Sequence, residues 1–348
     1  MSPVTTAGTE TTHPERIMAL DALRGICAIG VMCYHSLLFL DVANLRAIGS
    51  YGVYTFFVLS GFAMSWVYRT NTGDSFPVRS FYVARLARIV PLLWAAFAVK
   101  VATGLPPGTT FQHVVENVTL LGALSYGESL LVGGWSIQVE IVFYLVFPAL
   151  LLLLRGPRSL GAFIAVALAV RLITIEAIWP KGVSLAGGPR YQQIPSFLVF
   201  FAAGMLLAEL RRSARPTRST WPLAAGLVVL GGVFVANSLS DKALIAGITG
   251  VAMTVACCAA VGFAAWTPNP TGKVARVAFE TLGAVSYATY LLHPLVYSAV
   301  KRLSLGTSAT FGATVVTTLV AAWCSNRLFE TPSRDLIRRR LAPAQRAY

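Results

Sequence analysis

Residues 20–40, LDALRGICAIGVMCYHSLLFL, decide how the rest of the chain is read. The stretch is about 20 residues long, the length a helix needs to cross ~30 Å of hydrocarbon. It nevertheless carries Arg24 and His35. At ~3.6 residues per turn and ~1.5 Å rise, their separation is about three turns, or roughly 16 Å, along one helical face. An ionisable side chain at membrane depth costs kilocalories unless it faces protein or water, so this face is predicted to look into a bundle.

Composition agrees with that reading. Hydrophobic residues make up 56% of the 348 and charged ones only 12%, where soluble domains carry about 25% charged residues. The mean hydropathy is +0.67. The net charge of +14 is read as arginine in the loops between spans, not as a nucleic-acid surface, because no soluble basic face accompanies it. The five cysteines (Cys27, Cys33, Cys257, Cys258, Cys324) lie in apolar stretches without metal-ligand spacing and read as small packers. No metal site and no disulfide framework is expected.

Outward from the first span, the polar, Thr-rich residues 1–16 read as a mobile cytoplasmic tail. The apolar run behind Arg16 exceeds the ~7–15 residues of a signal-peptide core and lacks a small-residue cleavage site, so it is kept as a span. Further spans are expected at 52–68, 89–103, 135–154, 160–178, 194–210, 221–237, 243–266, 282–300 and 307–329. Pro91 is expected in the first helical turn of the third, where a missing N–H costs nothing. Residues 109–134 are only moderately apolar, broken by glycines and carry Glu116 and Glu128, so they are placed outside the membrane or in a partial re-entrant element. The prediction is an all-α, polytopic membrane helix bundle of about ten transmembrane helices, with both termini cytoplasmic.

Loop charge supports this direction. With the N-terminus inside, the inner segments hold eighteen Lys and Arg and the outer ones six, as the positive-inside rule requires. Making 109–134 a full span would reverse every later loop and spoil that bias. Residues 17–332 read as one membrane domain, and 333–348 as a basic cytoplasmic tail.

Two polar stripes remain. In WSIQVEIVFYLVFP, Ser136, Glu140 and Tyr144 recur every four residues and share a helical face. In SYATYLLHPLVY, Ser286, Tyr290, His293 and Tyr297 recur at three- and four-residue intervals. Pro294 denies its helix one backbone bond directly after His293, which would turn that side chain and a free carbonyl into a cavity. Residues 56–62 (FFVLSGF) read as packing, with Ser60 and Gly61 allowing close helix approach.

Together these segments resemble acyltransferase family 3, the integral membrane O-acyltransferases that modify bacterial surface glycans, lipid-linked sugars and secreted natural products. The likeness runs from Leu20 to Pro332: LDALRG with His35 completing the family's Arg-x10-His pattern, FFVLSGF, RLARIVP at 85–91, WSIQVE with FYLVFP behind it, Gly204, LGAVSYATYLLH at 282–293, and ETP at 330–332. Ile137 stands where the family often has Leu. Many members add an extracytoplasmic hydrolase-like domain; here the expectation is that the membrane part acts alone or with a separate partner.

The resemblance implies an acyl-CoA donor, usually acetyl-CoA, used as co-substrate with no permanently bound cofactor, and a carbohydrate or other hydroxyl acceptor. His35 is then expected to be the general base, Glu140 to orient it or stabilise its charged form, and Arg24 to hold the donor or stabilise developing negative charge. Arg79, Arg85 and Arg88 are candidates for the CoA phosphates, and Trp135, Ser136, Tyr290 and His293 for lining the substrate site. The expected location is the cell membrane, multi-pass, with no nucleic-acid partner; a homo-oligomer is compatible with the sequence. Bland readings compete: Arg24 could pair with Asp21, and His35 or His293 could be packing groups. A proton-coupled transporter and a non-catalytic glycan-export partner are the alternatives from other classes.

Overall fold

The computed structural model describes residues 15–69, 76–125, 129–178, 194–213, 232, 236, 238–239 and 244–341. Their regular structure is helical throughout, with no strand among the described residues. The helices are α1 (Met18–Phe39), α2 (Arg46–Tyr68), α3 (Val78–Thr103), α4 (Phe111–Thr119), α5 (Gly122–Ser125), α6 (Gly134–Leu153), α7 (Pro157–Ile178), α8 (Leu198–Ser213), α9 (Gly247–Trp266), α10 (Lys273–Lys301), α11 (Thr307–Ser325) and α12 (Thr331–Leu341). A π-helical turn, Asn326–Glu330, joins the last two.

Seven of these segments are long and apolar enough to cross a membrane: α1, α2, α3, α6, α7, α9 and the continuous run Thr307–Leu341. Two other helices fall on expected spans but differ from a plain apolar span. α8 has only 16 residues, about 24 Å of helix, and α10 opens with Lys273, Arg276 and Glu280. The span expected at 221–237 lies almost entirely outside the described residues.

Three helix starts lie well before the expected ones: α2 begins at Arg46 against 52, α10 at Lys273 against 282, and α3 is the third. The third helix begins at Val78, so Pro91 stands inside it and not in its first turn. Residues 78–88 alternate arginine with aromatic and apolar groups, and they continue the helix because Phe81 and Ala87 are buried against the body. Among its described residues, the polar region after α3 forms the short helices α4 and α5 and no span. The first of them starts at a capping box in which the Thr110 side chain accepts from the His113 backbone.

Two helix seams hold the bundle, and each is built on a reciprocal pair of glycines. Between α1 and α10, a Cβ on Gly25 would stand 2.6 Å from Leu282 Cβ, and one on Gly283 would stand 2.5 Å from Asp21 Cβ. Between α2 and α8, Gly61 lies against the Phe201 carbonyl and Gly204 against the Val58 carbonyl. In lipid, helix association depends on close packing because tails are as apolar as side chains, and small residues permit that closeness. The seam between α1 and α10 brings the Arg24–His35 face against the Ser286–His293 stripe. Behind it, Tyr54, Phe57, Phe143, Phe197, Phe200 and Phe201 form a buried aromatic core between α2, α6 and α8.

Candidate active site

A narrow cavity of about 70 Å³ opens inside this frame, lined from five helices. α1 contributes Arg24; α2 contributes Phe56, Phe57 and Ser60; α3 contributes Arg85 and Arg88. α6 brings Ser136, Ile137, Glu140 and Tyr144, and α10 brings Ser286, Tyr287 and Tyr290. The stripes read from sequence supply Ser136, Glu140, Tyr144, Ser286 and Tyr290, while Ser60, Arg85 and Arg88 join them from other helices.

Glu140 is the acidic centre of the cavity. It accepts hydrogen bonds from the Ser60 hydroxyl and, at 2.6 Å, from the Tyr144 hydroxyl. It also stands within electrostatic reach of Arg24 and Arg85, so each charge offsets the cost of burying the others. The Arg85 guanidinium is caged by the rings of Tyr68, Phe81 and Tyr144 at 5.7, 6.0 and 6.0 Å. Arg24 Nη1 lies 3.7 Å from Asp21 Oδ1, while Arg16 Nε lies 2.7 Å from Asp21 Oδ2. The pairing with Asp21 is therefore long and shared, and Arg24 still reaches the cavity.

The far end is closed by Tyr290. Its hydroxyl lies 2.8 Å from Ser136 Oγ and donates to the Gly133 carbonyl at 2.9 Å. Gly133 caps α6 at φ 79°, in the left-handed region, and a Cβ there would stand 2.8 Å from the Tyr290 hydroxyl oxygen. Only glycine suits both the backbone and the contact.

His35 and His293 lie one turn of α10 beyond Tyr290 and are not part of the cavity lining. Their rings are joined by a 2.9 Å hydrogen bond between His35 Nδ1 and His293 Nε2. His293 is fully buried, and its Nδ1 lies 3.2 Å from the Thr289 carbonyl. His35 is held between Phe39, stacked at 5.6 Å, and Tyr34 at 4.8 Å.

The structure thus sorts the expected site residues into groups. Arg24, Arg85, Arg88, Ser136, Glu140 and Tyr290 share the cavity. The expected contact of Glu140 with His35 is replaced by two others: Glu140 bonds Ser60 and Tyr144, and His35 bonds His293. Trp135 packs on Phe57 and Phe197 with ring centroids 6.4 and 5.4 Å away and is not in the lining. Arg79 is exposed on the first turn of α3. Ser60, read as a packing residue, is the one whose role changes most. Its signal was legible as a hydroxyl in an apolar helix, but its acceptor sits 80 positions away.

A multi-pass helical membrane protein with a polar, arginine-bearing cavity sunk into its bundle is the class these features define. A family model described as an acyltransferase domain matches residues 17–326, and the chain belongs to that family, acyltransferase family 3. It is 31% identical over 308 residues to the exopolysaccharide production protein ExoZ of Rhizobium meliloti, covering 82% of this chain and 89% of that one. It is 25% identical over 366 residues to the acyltransferase MdmB of Streptomyces mycarofaciens, covering 91% and 90%. It is also 25% identical over 186 residues to the peptidoglycan O-acetyltransferase OatA of Listeria monocytogenes, covering 47% of this chain and 28% of that protein. No solved structure matches the chain.

Proposed function

We propose that the protein is an O-acyltransferase of the cell membrane that moves an acyl group, most simply acetyl, from acyl-CoA to a hydroxyl of a glycan, lipid-linked sugar or secreted metabolite, with His35 as general base. The observation that carries this reading is the arrangement of one cavity: arginines toward one end and a hydroxyl-lined end at Tyr290, one helical turn from the paired histidines. The names of the relatives that act on exopolysaccharide and peptidoglycan favour an acceptor outside the cytoplasm.

Loop charge orients the bundle, with ten crossings and both termini inside. Arg24, Arg85 and Arg88 then face the cytoplasm, where acyl-CoA is made. Guanidinium groups suit phosphates because they donate paired hydrogen bonds. A cavity of about 70 Å³ is far too small for a nucleotide and has room for only the acyl end of the donor. The nucleotide therefore stays at the arginine mouth, and because Tyr290 closes the cavity short of His35, the Tyr290 side chain must swing aside for the acyl carbonyl to reach the base. Glu140 holds Arg24 and Arg85 in place for the donor.

At the reacting centre, the acceptor oxygen attacks the thioester carbonyl as its proton moves to His35. The new C–O bond forms, the C–S bond breaks, and the proton on His35 passes to the departing thiolate. General-base catalysis of this kind is worth about 10²–10⁴ in rate. Purified protein in lipid nanodiscs with labelled acetyl-CoA and a panel of glycan acceptors tests the reading. His35→Ala should lower transfer, or slow acetyl-CoA hydrolysis, by about 10²–10⁴ with normal yield and monodispersity. Turnover by His35→Ala at the wild-type rate would remove the base; acetyl-CoA left untouched alongside proton-coupled uptake into vesicles would make the protein a transporter.

A further inference from the structure

The two histidines carry more information than their proximity, because a backbone carbonyl fixes how the pair is protonated. Carbonyl oxygen only accepts hydrogen bonds, so His293 Nδ1, 3.2 Å from the Thr289 carbonyl, carries a proton. An uncharged imidazole has one N–H, which leaves His293 Nε2 with its lone pair. That nitrogen is the one facing His35 Nδ1 at 2.9 Å. The two rings lie within 11° of coplanar, so lone pair and N–H share a plane. His35 therefore holds its proton on Nδ1, and its Nε2, which no described residue hydrogen-bonds, carries the free lone pair.

We infer that His293 is a positioning residue that sets the tautomer of His35 and so presents His35 Nε2 as the base. This rests on the reading of His35 as the group that deprotonates the acceptor. It assigns His293 a task other than lining the substrate site.

The surroundings are built for that task. Pro294 has no N–H, so the Tyr290 carbonyl lacks its helical donor, and the His293 ring folds back onto the carbonyls of Thr289 and Tyr290. The Tyr297 hydroxyl donates to the Phe39 carbonyl at 2.9 Å, fastening the end of α1 to α10 and with it the spacing of the rings. No described carboxylate stands against either imidazole, so His293 occupies the place a carboxylate holds in a triad. When the acceptor proton arrives at His35 Nε2, the bond from His35 Nδ1 to His293 Nε2 becomes charge-assisted, which makes it about twice as strong. The Nε2 proton then leaves with the thiolate, and the pair returns to its starting state.

The test has a spectroscopic arm and a kinetic arm. The chain has four histidines, so 15N labelling of histidine with single His→Gln assignments resolves each ring. Wild-type His35 should show a protonated Nδ1 and an unprotonated Nε2, and His293→Leu should convert it to a mixture of tautomers. In turnover, His293→Leu should lose about 10²-fold in kcat with KM for acetyl-CoA unchanged, while His293→Gln, whose side-chain oxygen can still accept from His35 Nδ1–H, should stay within about tenfold of wild type. A proton on Nε2 of wild-type His35, or a His293→Leu enzyme within about threefold of wild-type kcat, overturns the inference. The spectrum reports the tautomer whether or not His35 is the base, so a normal spectrum beside a fully active His35→Ala variant would condemn the base and leave the pairing standing.

Discussion

Replacing Glu140 by Gln probes whether the carboxylate is the hub of a charge network or part of the base. Glutamine keeps the shape and the one oxygen, Oε1, that accepts from both Ser60 and Tyr144, and removes the negative charge that faces Arg24 and Arg85. A hydrogen bond to a charged acceptor is worth about 1.5–3 kcal/mol and one to a neutral acceptor about 0.5–1.5 kcal/mol, so each of the two bonds to this carboxylate weakens by about 1 kcal/mol. With both hydrogen bonds kept in weakened form, Glu140→Gln should cost about 2 kcal/mol. At roughly 2 °C per kcal/mol for a chain of this size, the melting temperature should fall by about 4 °C. A second substitution, Arg24→Gln, should then add much less than it costs alone, because the two act through one network. The assay is thermal unfolding of the four proteins of the cycle in the same lipid, with initial rates at saturating acetyl-CoA beside it. Since His35 is bonded to His293 and not to Glu140, kcat should change by less than about threefold even where stability falls. A melting temperature unmoved together with a loss of about 10² in kcat would refute the network and return Glu140 to the base.

Other outcomes follow from the same geometry. Gly204→Val places a Cβ on the Val58 carbonyl and 2.7 Å from the Phe62 nitrogen. Neither backbone atom can retreat, so it should cost about 3 kcal/mol or prevent assembly. Gly272→Ala, with open space around its Cβ, should leave yield and size-exclusion profile unchanged. Arg85→Lys should raise KM for acetyl-CoA about tenfold at similar kcat, since a point charge neither fills the cage of Tyr68, Phe81 and Tyr144 nor donates in pairs; a KM equal to wild type would show that Arg85 is structural.

Much of the architecture was legible along the chain because membrane helices advertise themselves locally. A span is an apolar run of fixed length, and polar residues inside it are too costly to be accidental. That logic located α1, α2, α6, α7 and α9 and singled out Arg24, His35, Glu140 and His293. It failed at the start of α3, where Pro91 looked like a first turn although the helix had begun at Val78. A proline can stand inside a helix when neighbouring helices support it, and nothing in the local pattern shows that support.

Sequence by itself determined the helical class, the spacing of the polar residues on each helix and membership in acyltransferase family 3, since periodicity and motif order are properties of the chain alone. Which polar group meets which was decided only in three dimensions. Glu140 suits His35 as well as Ser60 or the arginines by chemistry. The glycine-set depth at which α1, α2, α6 and α10 pack puts Glu140 with Arg24, and leaves His35 three turns along to find His293. Helix rotation and register depend on contacts between residues more than a hundred positions apart, as with Gly25 and Leu282, and such contacts leave no periodic trace in the sequence.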